Sequence, residues 1–233
     1  FITASYDNLL AGNNAEVNFL DEEMNLIGGF DIPPVPHTIL VLDAGQAITS
    51  DGYSIYVRSQ DEEDDTTSLV IVYSFAGVEE RRFQLGGGNY IGGMDMVEGE
   101  LAAGHPHNIE FYDPASGSFI RAVNGPFFYP HYHEGFAYDG DLLWYLAFNS
   151  DFINGTDVTA GSPTVGTIVS SIDNAAKDCI WHGTGMTTGS NDGELMLGCV
   201  NGDWFLVSSA DGSVIDSGNN GVDMFGLKKI PVF

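Results

Sequence analysis

Regular turns, short strands and the absence of a helical period predict an all-β protein, a single five-bladed β-propeller of four-stranded antiparallel blades. Two-residue turns flanked by apolar runs recur at Asp7-Asn8, Asp51-Gly52, Glu98-Gly99, Asp139-Gly140 and Asp192-Gly193. Such dipeptides favour the positive φ that tight hairpins need. Their spacing, about 40–50 residues, is that of one propeller blade. Nowhere does an amphipathic helical pattern persist for three turns. The 30 glycines and 43% hydrophobic residues suit a globular fold rich in turns rather than a disordered chain.

The 233 residues divide into blades at about 1–34, 35–88, 89–126, 127–184 and 185–220, with 221–233 as a closing strand. In the first unit ITASY turns into LLAG, followed by EVNFLD and NLIGGF. The second reads AITS, YSIYVR, SLVIVYSF and RRFQL, and the third GMDMV, ELAAG, NIEFYD and SFIRAV. GFAY, DLLWYLAF, TIVSSID and DCIWHG make the fourth. MTTG, ELMLGCV, DWFLVSS and SVIDSG make the fifth. At the level of repeat and strand pattern the whole chain resembles the five-bladed β-propellers, without a family-specific catalytic motif. The terminal GVDMFG echoes GMDMVEG of the third unit and is expected to close the ring beside the first blade, the alternative being the start of a sixth blade.

Charge narrows the partners. With 33 acidic and 7 basic residues the net charge is −26, which repels nucleic acid and anionic membrane surfaces. No stretch approaches the ~20 apolar residues of a membrane span. The chain begins at Phe1 rather than Met, so an upstream segment is expected to have been removed or left out. An exported protein is expected: secreted, periplasmic or at the cell surface. Cys179 and Cys199 can make one bridge, between the outer strand of blade four and the second strand of blade five. Asn154-Gly155-Thr156 matches the N-glycosylation triplet.

Histidine placement carries the functional reading. When the strands of a blade are labelled a to d from the axis outward, b–c loops and blade-to-blade links share one face. All six histidines are expected on or beside it: His37, the pairs His105/His107 and His131/His133, and His182 ending blade four. Imidazoles ligate zinc, copper and iron, and alternate residues of an extended segment share a side. A transition-metal site is therefore expected from His105, His107, His131 and His133, assisted by His37 or Glu134. It would serve either a metalloenzyme or a metal-binding protein. Calcium is the expectation for acidic loops, through Asp61, Asp64 and Asp65 in blade two, or Asp151 and Asp157 in a long b–c loop of blade four. A carbohydrate-binding or glycoside-cleaving propeller is the alternative. It would use Asp43, Asp95, Glu134 or Asp223, with Phe127, Phe128, Tyr129 and Tyr132 stacking on a sugar. The other alternative is an assembly protein whose C-terminal strand adds to a protein partner.

Overall fold

The computed structural model describes residues 1–7, 14–32, 38–39, 47–61, 68–86, 92–105, 107–125, 133–147, 150–178, 185–222, 224 and 226–230. Among them there is no helix, and the strands form five antiparallel blades. Blade two contains β4 (Thr38–Ile39) and β5 (Ile48–Ser50), both paired with β6 (Ser54–Asp61), then β7 (Ser68–Ser74) and β8 (Glu79–Leu85). Blade three runs β9 (Met94–Val97), β10 (Glu100–Gly104), β11 (Asn108–Tyr112) and β12 (Phe119–Asn124). Blade four is β13 (His133–Tyr138), β14 (Leu143–Ala147), β15 (Phe152–Thr156) and β16 (Ile168–Asp173). Blade five is β17 (Gly185–Thr188), β18 (Glu194–Gly198), β19 (Asp203–Ser208) and β20 (Val214–Asn219).

Blade one draws on both ends of the chain. Its order from the axis is β21 (Gly226–Lys228), β1 (Ile2–Asp7), β2 (Asn14–Leu20) and β3 (Leu26–Ile32). β21 pairs antiparallel with β1 through Ile2–Lys228, Thr3–Leu227 and Ala4–Gly226. The first strand in sequence is therefore the second in the blade. The expected strand LLAG falls within residues 8–13, outside the described residues.

Five hydrophobic cores fill the five gaps between neighbouring blades. β7 illustrates the logic, because its two faces serve two gaps. Leu69, Ile71 and Tyr73 pack against Ile2, Val17 and Ile32 of blade one. Val70 and Val72 pack against Met94, Leu101 and Tyr112 of blade three. A strand covered on both faces reads as a continuous apolar run, and SLVIVYS is one. Ile109, Phe111 and Val123 meet Phe136 and Tyr145 between blades three and four, and Trp144 and Ile153 meet Met186 and Leu197 between four and five. Leu20 and Met24 meet Met196 and Leu227, closing the ring.

The c–d turn of one blade docks on the outer strand of the blade before it. Gly117 (φ 70°) ends the turn after β11, and a Cβ there would lie 2.4 Å from the Phe83 ring on β8. Blade one places Met24 at the matching positive-φ position (φ 65°), with its side chain fully buried against blade five. Near the axis the strands approach as closely. A Cβ on Gly135 would lie 2.9 Å from the Met186 nitrogen.

Blade four departs from the expected order. Phe152–Thr156, expected in a b–c loop, is the third strand, and Ile168–Asp173 is the outer one. The long connection therefore spans 157–167 between the third and outer strands, on the face opposite the b–c loops. Cys179 and His182 follow the blade instead of lying on its outer strand, and both are outside the described residues. The triplet Asn154-Gly155-Thr156 is within β15, with Asn154 half-buried and Thr156 fully buried, and not in an exposed loop.

Candidate functional site

His105 anchors the most chemically distinctive cluster on the b–c face. It follows β10, and a short turn in which its N–H donates to the Asn108 carbonyl (2.9 Å) carries the chain into β11. This turn separates the His-X-His pair. His105 is only 3% exposed and faces the gap with blade two, whereas His107 is exposed to solvent. The two rings do not share a side, because the segment is a tight connection and not an extended strand.

Glu110 and Tyr112, alternate residues on β11, complete the cluster. The His105 Nε2 lies 3.3 Å from a Glu110 carboxylate oxygen and 3.4 Å from the Tyr112 hydroxyl. Tyr112 donates to that same carboxylate and also lies 2.9 Å from the Gly86 carbonyl at the end of blade two. Asn108 donates to the other Glu110 oxygen (3.2 Å). Since Tyr112 spends its proton on an acceptor, the surroundings of Nε2 are lone pairs, which selects the tautomer with hydrogen on Nε2. The His105 Nδ1 then carries a lone pair, is buried, and has no hydrogen-bond partner among the described residues.

Electrostatics keep that ring neutral. Burial lowers the His105 pKa below its ordinary 6.5; Glu110 opposes the shift and the nearby Arg58 guanidinium adds to it. Tyr112 is pushed strongly upward, first by burial and then by donation to Glu110. The cluster thus holds an uncharged imidazole, a carboxylate and a phenol that stays protonated. The sequence reading missed Glu110 and Tyr112. Their signal was a glutamate and a tyrosine two apart, on the face of NIEFY that should be apolar.

The remaining expected residues divide by position. His133 opens β13 at the same face and its backbone pairs with Ala147, while its side chain and that of Glu134 lie outside the described residues. His37 and His131 are outside them too, as are Asp64 and Asp65. Asp61 ends β6, with its side chain likewise undescribed. Asp151 and Asp157 stand at opposite ends of β15. Asp157 spends its carboxylate within its own loop, accepting from Ser162, from Thr164 (2.6 Å) and from the Thr159 N–H (2.9 Å). These bonds hold its pKa down to about 2. Among the described residues no group of three or more His, Cys, Asp or Glu is arranged to hold a metal ion. Cys199 is buried and disulfide-bonded, and Cys179 is the only other cysteine of the sequence.

Asp95, nominated as a carboxylate for glycoside cleavage, is fully buried at the axis. It accepts from the Thr49 hydroxyl (3.0 Å), the Met96 N–H (2.7 Å), the Tyr138 N–H (2.7 Å) and the Lys228 ammonium. A carboxylate so committed does not attack a sugar or activate water. Asp43 and Asp223 lie outside the described residues.

No protein-family model and no curated protein matches the chain. Solved structures do. The glutaminyl cyclase of Myxococcus xanthus is 15% identical, with a TM-score of 0.57 over 78% of this chain and 76% of that one. A chain of the mitotic checkpoint complex gives a TM-score of 0.48 at 14% identity, over 91% of this chain and 62% of that one. The Pan2 WD40 domain of Neurospora crassa gives 0.48 at 8% identity, over 76% and 49%. At these identities the likeness is one of fold, and the chain is a five-bladed β-propeller.

Proposed function

We propose that this propeller binds a transition metal at the face of its b–c loops and blade links, with His105 as the anchoring ligand. The observation that carries the reading is the wiring of that imidazole. A metal-ligating histidine characteristically gives its other ring N–H to a carboxylate, which fixes ring and tautomer. Here Glu110 holds Nε2 and the buried Nδ1 is left with its lone pair. His107, His131, His133, Glu134 and His37 are the candidates for the remaining ligands. Imidazole with carboxylate suits zinc, copper or iron, whereas calcium prefers oxygen alone. When bound with an open position, such a metal polarises a substrate oxygen or activates water.

Calorimetric titration of the chelator-treated protein with zinc and copper tests the reading. We expect His105→Gln to abolish high-affinity uptake and Glu110→Gln to weaken it about 10–100-fold. Unchanged affinity in His105→Gln would end the proposal. Because burial keeps the ring neutral, uptake should persist below pH 6.5, where an ordinary exposed histidine is losing its lone pair to a proton.

A second reading uses the same cluster with the fold neighbour. Glu110 beside a neutral imidazole is an acid–base pair of the kind that cyclisation of an N-terminal glutaminyl residue would use, moving a proton from the attacking amine to the departing ammonia. Ammonia release from a glutaminyl peptide, present in wild type and absent in Glu110→Gln, would favour it over the metal reading. Export fits either. A structural disulfide at Cys199 persists in an oxidising compartment, and thiol titration of the unfolded, unreduced chain should find no free sulfhydryl.

A further inference from the structure

The innermost strands share a short repeat whose third position rings the axis. It reads Ala47-Ile48-Thr49, Gly93-Met94-Asp95, Gly135-Phe136-Ala137, Gly185-Met186-Thr187 and Gly226-Leu227-Lys228. The middle residues each enter a different one of the five cores. The third residues Thr49, Asp95, Ala137 and Thr187 are all fully buried, and Lys228 is 9% exposed. Four of the five blades meet at one of these residues. Asp95 belongs to blade three, takes the Thr49 hydroxyl of blade two and the Tyr138 N–H of blade four, and receives the ammonium of Lys228 from blade one. The residue after β21 reaches the fifth blade as well: the Lys229 N–H donates to the Thr187 hydroxyl (2.9 Å) and its ammonium to the Gly189 carbonyl (2.7 Å).

We propose that the buried Asp95–Lys228 pair is the latch of the propeller: the last strand delivers the charge that closes the ring, and loss of that charge opens the molecule at β21. The argument is one of compensation. An aspartate with no exposed surface is held by three neutral donors and one cation, and withdrawing the cation leaves an uncompensated buried charge, which costs far more than the pair itself contributes. Besides this pair, β21 is held by three ladder partners on β1, by Leu227 in its core and by the neighbouring Lys229 bonds to blade five. Its departure bares the axial edge of β1 and leaves the sheets of blades two to five intact, so opening is local.

Amide hydrogen exchange on the full chain tests this. In Lys228→Met and in Asp95→Asn, peptides covering Ile2–Ala4 and Gly226–Lys228 should exchange about 100-fold faster than wild type, with β10, β14 and β18 unchanged. The double variant should regain most of the protection, because neither charge is then buried alone. Wild-type exchange at β21 in the single variants, equal acceleration in all five blades, or a double variant no better than the singles would each overturn the latch. Should a single variant fail to fold, Thr49→Val serves instead. It removes one donor to Asp95 without removing charge, and a rise at β21 alone supports the proposal where no rise overturns it.

Discussion

Arg81 and Arg121 do the same work in consecutive blades. Each is the third residue of an outer strand, and each donates to a carbonyl of the next blade, Pro114 (3.2 Å) and Val158 (2.8 Å) respectively. Arg121 also pairs with Glu100 at 2.8 Å and lies 3.6 Å over the Phe111 ring. Replacement by alanine removes a charge-assisted bond and a cation–π contact, about 2 kcal/mol together. We expect the thermal midpoint to fall by roughly 4–8 °C. Arg121→Lys should not rescue it, because an ammonium cannot serve three partners in one plane. At His105 the sign runs with acid. A folded-state pKa below 6.5 means that the unfolded chain takes up the proton first. The stability contributed by the neutral ring is complete above about pH 6.5 and is lost as pH falls through the folded-state value. His105→Gln should flatten the melting-temperature profile in that window. The sequence made His105 conspicuous but hid its partners, which become neighbours only when β11 turns its alternate residues toward blade two.

At the scale of the element, the c–d turn is the joint of this fold. Gly117→Ala places a Cβ both at positive φ and against Phe83, and should cost about 1–3 kcal/mol, seen as a lower urea midpoint with an unchanged slope. The turn and strand pattern was legible for blades two, three and five, where Asp51-Gly52, Glu98-Gly99 and Asp192-Gly193 join apolar runs. Blade four differs because Phe152–Thr156, expected within a b–c loop, is a strand. In the structure Gly155 sits mid-strand, where a Cβ would lie 3.2 Å from the Trp144 ring, so the glycine marks a close approach and not a bend. With that strand counted, the long connection and Asp157 are on the opposite face from the one expected. Blade one misled for a different reason. A closing strand was expected beside the first blade, but its innermost place, which makes ITASY the second strand, is visible only in the pairing.

Over the whole molecule, charge and architecture are linked. Of seven basic residues, Arg81, Arg121, Lys228 and Lys229 bond across blade boundaries and Arg58 is buried. Lys177 is exposed and Arg82 pairs with Glu79 on its own strand. The cations are mostly spent inside, so the surface carboxylates repel one another with few local partners. Raising salt from about 0.05 M to about 1 M shortens the Debye length to about 3 Å, and the thermal midpoint should climb with it. A flat or falling midpoint would mean that surface repulsion is not a significant term.

The distance along the chain between the two halves of the axial pair also sets a clock. Asp95 and Lys228 are 133 residues apart. At the usual pace of about 5–20 residues per second, a ribosome that has just made the aspartate needs about 7 to 27 seconds to reach the lysine. For that interval blades three to five emerge with their axial carboxylate unanswered, so the finished ring is an event that follows synthesis of the blades and cannot accompany it.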